Sequence, residues 1–304
     1  DNASIVKSNI TLPKDTIYEF THSFDNIFNN FTDMTTLVVD EVLLPDFRIV
    51  AEDVSGNRDL SKQLVNFYSD FTISSIYATG YNNRYQLFNG NVTQQTTPQE
   101  VLQGYDIIKM DIGAEYSMFI TRDHKVYAIG YNNYGQLGVG DTTQRNSPTQ
   151  VNVSGDIIDV RCGQNHTLFL TKDGKVYGCG YNGNGHLGLN NTTQQNTPVQ
   201  LISDHKIIAI ETHHYGSFFI TEDYQVYSCG YNNYGQLGDG TASQRNSPVL
   251  VEIDEPVQKV SCTKSSSSST IFLTTTNKVY SCGYNGHGQL GDATVSTRYT
   301  PVLS

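Results

Sequence analysis

The chain has 304 residues and a formal net charge of −11; 37% of it is hydrophobic and 16% charged, with 20 Tyr, 13 Phe, 26 Gly and no Trp. At roughly 150 residues per domain the length suggests two domains, although one large all-β unit can also fill it. The acidity excludes the electrostatic footprint of a nucleic-acid binder, no apolar run reaches the ~18 residues of a membrane-spanning helix, and the aromatic, Gly-rich composition excludes both a coiled coil and a disordered chain.

In chain order, residues 1–75 come first. The chain begins at Asp1 and not at Met, so an upstream segment, with a signal sequence as one alternative, is expected to have been removed. Residues 1–79 hold 12 acidic and 5 basic residues, net −7 of the total −11. Ile27–Val39 and Val65–Ile73 read as strand pairs, degenerate copies of the repeat that follows them. A separate small N-terminal domain is the alternative.

From Ile76 onward the chain repeats. Gly-Tyr-Asn occurs at Gly80, Gly130, Gly180, Gly230 and Gly283, at intervals of 50, 50, 50 and 53 residues. A fixed period of this size signals a propeller, solenoid or array. Within one unit, Ile157–Gly163 and His166–Thr171 read as strands, a turn at Lys172–Gly174 leads into a third at Lys175–Asn182, and Pro198 opens a fourth at Pro198–Leu201. Four short strands joined by turn residues make one antiparallel blade. In the third strand Val126, Ala128 and Gly130 alternate with Tyr127, Ile129 and Tyr131, so both faces are apolar or small. A sheet buried on both faces needs neighbours on both sides, which radial stacking supplies. The expected fold is therefore all-β, a single β-propeller spanning 1–304 with four-stranded antiparallel blades. Residues 76–304 form the regular repeats and 1–75 the degenerate blades. Pro13, Pro45, Pro98, Pro148, Pro198, Pro248 and Pro301 each mark a fourth strand and leave six or seven blades open. Because an open arc would expose apolar end faces, residues 1–20 are expected to close the ring.

The loop after the third strand is the most constant element. It reads GYNNYGQLGVG from Gly130, GYNGNGHLGLN from Gly180, GYNNYGQLGDG from Gly230 and GYNGHGQLGDA from Gly283. Its glycines suit positive φ or close backbone approach. Leu137, Leu187, Leu237 and Leu290 suit plugs between blades, and Gln136, Gln236 and Gln289 suit hydrogen bonds to loop backbone. It is not a phosphate loop, lacking the Gly-Lys-Ser/Thr ending.

These residues resemble the regulator of chromosome condensation repeat family. The pattern is carried by Val160, Gly163, His166, Thr167, Leu170, Thr171, Val176, Tyr177, Gly180, Asn182, Gly185, Leu187, Gly188, Pro198 and Leu201, and it runs from about residue 76 to the C-terminus. The resemblance implies a seven-bladed β-propeller. One departure is that the aromatic residue often found before the motif's Gly is here Ile129, Cys179, Cys229 or Cys282.

Cys162 and Cys262 fall on first strands, and Cys179, Cys229 and Cys282 on third strands. First and third strands of a blade stand roughly 9–10 Å apart, beyond the ~7 Å Cα limit of a disulfide. Free buried thiols are expected, and with them a reducing, cytoplasmic location. The sequons at Asn2, Asn9, Asn30, Asn91, Asn152, Asn165, Asn190 and Asn191 favour a secretory location instead.

Catalytic groupings are sparse. His213-His214 is the one paired histidine, no His/Cys/carboxylate set has metal-ligand spacing, and no Gly-x-Ser-x-Gly elbow occurs. No cofactor and no enzymatic activity are expected. His166 suits a hydrogen bond within the blade turn. The turns that vary between units lie at one end of the propeller, where such folds place binding surfaces. They nominate Glu115, Tyr116, His213, His214 and Tyr215 as partner-contacting residues, with Ser266 and Ser267 in the serine run Ser265–Ser269. The leading functional expectation is a non-catalytic scaffold that binds another protein through these loops. The family resemblance allows a second, guanine-nucleotide exchange on a Ran-like small GTPase, although no long wedge-like insertion and no basic tail are seen. The family's ultraviolet-sensing branch uses clustered Trp, and this chain has none. A secreted or carbohydrate-binding propeller, with Tyr-Asn loops as sugar platforms, is the third.

Overall fold

The computed structural model describes residues 76–263 and 269–304, all within one compact unit, Phe71–Ser304. The described residues form strands and no helix. A two-stranded antiparallel sheet comes first, β1 (Ile76–Gly80) with β2 (Gln95–Val101). Four four-stranded sheets follow. Blade 1 holds β3 (Ile107–Ile112), β4 (Tyr116–Thr121), β5 (Val126–Gly130) and β6 (Arg145–Val151). Blade 2 holds β7 (Ile157–Cys162), β8 (His166–Thr171), β9 (Val176–Gly180) and β10 (Gln195–Gln200). Blade 3 holds β11 (Ile207–His213), β12 (Gly216–Thr221), β13 (Val226–Gly230) and β14 (Arg245–Leu250). Blade 4 holds β15 (Val257–Cys262), β16 (Ser269–Thr274), β17 (Val279–Gly283) and β18 (Arg298–Leu303). In each blade the strands are antiparallel and neighbours in sequence are neighbours in space. The fold is an all-β propeller of four-stranded antiparallel blades. The pair β1–β2 corresponds to the third and fourth strands of a further blade. The pairs expected at Ile27–Val39 and Val65–Ile73, the closing segment 1–20, and Pro13 and Pro45 lie outside the described residues.

Burial explains the order of strands. The second strands, YSMFIT in β4, HTLFLT in β8 and GSFFIT in β12, are buried at every residue. They need apolar neighbours above and below, and adjacent blades provide them. One cluster joins Met118, Ile120, Val126 and Leu137 of blade 1 to Ile157, Val160 and Phe169 of blade 2. A second joins Leu168, Leu170 and Leu187 to Ile207, Ile210 and Phe219. A third joins Phe218, Ile220 and Leu237 to Val257, Val260 and Phe272. Each buried Leu or Phe contributes about 1.5–3 kcal/mol. Leu137, Leu187 and Leu237 thus lie in the clusters between blades, and Leu290 is also buried.

The first strands of consecutive blades are in mutual contact. Lys109 pairs with Asp159 at 2.8 Å, and Arg161 links Asp159 (3.4 Å) to Glu211 (3.6 Å), so one ion-pair chain runs through three blades. Blades are also tied by a recurring hydroxyl: Ser117, Thr167, Ser217 and Thr270 donate to the carbonyl oxygens of Gln86, Gln136, His186 and Gln236, at 2.7–2.8 Å. The third-strand thiols of Cys179, Cys229 and Cys282 point to the same carbonyls, those of Gln136, His186 and Gln236. Cys162, Cys179, Cys229 and Cys282 are buried and Cys262 is half-buried.

The prolines require a correction. Pro98, Pro148, Pro198, Pro248 and Pro301 do not open the fourth strands; each is the fourth residue of its strand. In β10, Gln195 pairs with Gly180 and Val199 with Gly178, so the register slips across the proline. Proline has no amide hydrogen for the ladder, and an edge strand with a bulge is where a sheet accepts it.

Candidate binding face

Tyr116 pairs with Gly130 across β4 and β5, and the same register recurs in every full blade. The turn between first and second strands and the long loop between third and fourth therefore share one end of each blade. The loop is shaped by its Asn. Asn82, Asn132, Asn182, Asn232 and Asn285 are fully buried, and each Oδ1 accepts the amide hydrogen of a loop leucine five residues on, at 2.9–3.0 Å. Their amide groups donate back across the loop, as from Asn232 to Asp239 Oδ1 (2.8 Å) and to the Thr241 carbonyl (3.0 Å). The glutamines act as expected: Gln136, Gln236 and Gln289 accept the amide hydrogens of Tyr134, Tyr234 and His287 at 2.9–3.0 Å. Gly180 has φ near 102°, and a Cβ there would meet the Asn165 carbonyl and lie 2.7 Å from the His166 Cα. The same positive φ occurs at Gly130, Gly230 and Gly283.

This scaffold places tyrosine rings side by side. Tyr131 meets Tyr134 (6.2 Å between centroids), Tyr134 meets Tyr181 (5.1 Å), Tyr181 meets His186 (5.1 Å), His186 meets Tyr215 (5.6 Å) and Tyr215 meets Tyr231 (6.1 Å). Tyr234, Tyr284 and His287 form a further run. The Arg84 guanidinium lies 5.1 Å from the Tyr131 centroid. All these tyrosines are half-buried. Most of the contacts are edge-to-face, which adds about 0.5–1.5 kcal/mol per pair beyond burial.

Charge is segregated between the two ends. Among the described loop residues of the tyrosine end, the ionised groups are Arg84, Glu115, Asp141, Asp239 and Asp292, and each is in an ion pair. The turns at the opposite end carry most of the other charges, including Asp123–Lys125, Asp173–Lys175 and Lys206–Glu222. Hydrogen bonds from Lys125 and Lys175 hold Asp123 and Asp173 down at about 2.

Of the residues nominated from sequence, the structure brings some to this face and removes others. His214 and Tyr215 are half-buried, with rings 4.0 Å apart. Glu115 is half-buried beside Arg84. Tyr116 and His213, expected at the surface, are fully buried. Tyr116 occupies the junction with blade 2, where its hydroxyl donates to the His166 carbonyl at 2.6 Å; burial pushes that hydroxyl well above its ordinary value. Ser266 and Ser267 lie outside the described residues. His166 does not confine itself to its own turn: its Nε2 lies 3.2 Å from Ser217 Oγ in blade 3.

A reciprocal exchange explains His213. In blades 1 and 2 the ring that opens the second strand, Tyr116 or His166, covers the glycine that opens the preceding turn, Gly113 or Gly163. In blade 3 the positions are reversed, and His213 covers Gly216. The ring fills the same slot from the other strand. The tyrosines of the constant loop escaped the sequence-based choice because recurrence in every unit made them look structural; the signal available was the second aromatic in GYNNYG.

Residues 75–304 match the family profile of the RCC1-like domain. The chain belongs to that family. Its RCC1-like unit superposes on human WBSCR16 with a TM-score of 0.67 at 20% identity, covering 76% of this chain and 62% of that one. Prp20p from Saccharomyces cerevisiae gives a TM-score of 0.64 at 20% identity, covering 76% and 59%. Yeast RCC1 (Prp20) bound to Kap60 gives 0.64 at 19% identity, covering 76% and 57%. The matched part thus amounts to about three fifths of each of these RCC1-type structures, and at this identity the likeness establishes the propeller fold. No curated protein sequence matches the chain.

Proposed function

We propose that this RCC1-like propeller is a non-catalytic scaffold that binds a protein partner through its tyrosine-lined end. The observation that carries this is the row from Tyr131 to Tyr231 on a face whose described loop charges are all paired. Tyrosine offers a large, stiff, amphipathic contact at low entropic cost, and Tyr with Asn, Ser and Gly is the composition of antibody paratopes. A neutral face also loses little on desolvation compared with one of ionised groups. The yeast relative is described in terms of its binding to Kap60, Gsp1p and histones, which supports a protein as the class of ligand. Buried thiols at Cys162, Cys179, Cys229 and Cys282 favour a reducing, cytoplasmic setting.

The test is affinity purification followed by equilibrium binding with the recovered partner. Replacing Tyr134, Tyr181 and Tyr231 together by alanine is expected to weaken binding by more than about 30-fold, since one aromatic anchor alone is worth about 2 kcal/mol or more. Unchanged affinity with an intact fold rejects this face. The fold likeness to Prp20p keeps nucleotide exchange as the second reading. Faster nucleotide release from a small GTPase in the presence of the chain would support it, and no acceleration across a panel would exclude it.

A further inference from the structure

Four of the chain's eight histidines converge on the junction of blades 2 and 3. His186 stands in the constant loop where the other full blades have Gln136, Gln236 and Gln289. It keeps the loop's shape but not its cap. Both its ring nitrogens are buried without a hydrogen-bond partner, as are Nε2 of His213 and Nδ1 of His214. The His186 ring packs against His166 (5.0 Å), Tyr181 (5.1 Å) and Tyr215 (5.6 Å), and Tyr215 in turn packs on His214. The cluster therefore sits directly under the middle of the tyrosine row.

Among the described residues, the groups that face it are few. From β8 comes His166; from the loop after β9, Tyr181; from β11, His213, with its following turn residues His214 and Tyr215. From β12 come the Ser217 hydroxyl, donating to the His186 carbonyl, and Phe218, 5.9 Å from His213. From β13 comes the Cys229 thiol, which burial keeps protonated. The described ionised groups nearest this end of β7 and β11 are Arg161 and Glu211, which lie 3.6 Å apart in an ion pair. The charges felt by His186 and His213 are those of other histidines.

We propose that this junction is an acid-sensitive latch, in which protonation of the histidine cluster releases Tyr181 and Tyr215 and dismantles the binding face. A neutral imidazole can sit in an apolar junction with a nitrogen unpaired. An imidazolium has two N–H donors, finds no carboxylate among the described residues packed on His186 and His213, and repels the next one 5.0 Å away. The relief open to it is outward rotation of the rings, which carries their tyrosine partners along. Burial, with the neighbouring histidines, lowers His213 to about 3 and holds His186 well below its ordinary range; burial alone lowers His214. The sign follows. Opened histidines bind protons below about pH 6.5 and packed ones do not. The closed junction is thus favoured above that pH and loses stability as pH falls toward the folded values.

The consequence for binding rests on the function proposed above; the latch itself does not, so it is tested on the partner-free chain. Histidine Cε1 proton NMR and tyrosine near-UV circular dichroism are followed from about pH 7.5 to about pH 4.5. The absence of Trp leaves the aromatic signal to Tyr and Phe. Expected is one cooperative step in which the histidines titrate together with loss of the tyrosine signal, while amide protection of Phe272 in blade 4 persists. His186→Gln restores the residue of the other loops and should move the step down by at least about half a pH unit. His214→Gln, at a half-exposed site, should do the same to a smaller extent and decides the matter if His186→Gln does not fold. Histidines titrating singly near their ordinary value, or a step at the same pH in wild type and variant, would overturn the latch. The tyrosine triple variant at neutral pH separately tests the face, so failure of one idea leaves the other readable.

Discussion

Asn232→Ala probes how the loop that carries the tyrosines is held. Asn232 is fully buried, accepts the Leu237 amide hydrogen at 2.9 Å, and donates to Asp239 Oδ1 at 2.8 Å and to the Thr241 carbonyl at 3.0 Å. Alanine removes all three contacts and strands the Leu237 N–H inside the loop. Asp239 keeps Arg245 and Thr241, so less is lost on that side. With a net 0.5–1.5 kcal/mol per hydrogen bond and a penalty for the stranded donor, the cost is about 3 kcal/mol. In a unit of this size that lowers the melting temperature by roughly 6–12 °C. Urea unfolding followed by tyrosine fluorescence measures it, with the exposed neighbour as a control: Asn233→Ala should stay within about 0.5 kcal/mol of wild type. Asn232→Asp keeps the acceptor for Leu237 but sets a carboxylate against Asp239, so it should be at least as destabilising at neutral pH and recover partly on acidification. An Asn232→Ala variant within about 0.5 kcal/mol of wild type would refute the view that this buried amide holds the loop.

Three further outcomes are expected. Gly180→Ala should cost about 3 kcal/mol or more, because φ is near 102° and the added Cβ meets backbone on two sides; a far smaller shift in the urea midpoint would contradict this. Asp123, Asp173, Glu255 and Asp292 are held at about 2, the first three chiefly by hydrogen bonds from Lys125, Lys175 and Lys278 and the last by Thr294. Their folded values lie below the unfolded ones, so their stabilisation is present above about pH 4 and lost as pH falls toward 2; Asp173→Asn should flatten that part of the stability profile. Among the five thiols, half-buried Cys262 should label first with a maleimide in the folded chain, while Cys179, Cys229 and Cys282, raised by full burial, should label only on unfolding.

The 50-residue period, the four strands of a unit and the loop glycines were all legible in the sequence, because each rests on a local constraint. Alternation sets which residues share a face, and a glycine with positive φ is needed wherever the same turn recurs. The junction leucines were legible for the same reason. The fate of the prolines was not: a bulge is a property of two paired strands, and Gln195 and Val199 reveal it only against Gly180 and Gly178. Nor was the proposed binding face. Tyr116 and His213 looked exposed because they flank a variable turn, yet each ring fills a slot over a glycine, Gly113 in one blade and Gly216 in the other.

By itself, then, the sequence determined the blade and its repetition, since periodicity, turn chemistry and two-sided apolar strands are written residue by residue. Tertiary structure decided which aromatic residues face solvent and which are sealed between blades. It also brought His166, His186, His213 and His214 together from separate strands and loops. The physical reason is that both outcomes depend on stacking one blade against the next, which sets burial and like-charge proximity at a distance of about fifty residues along the chain.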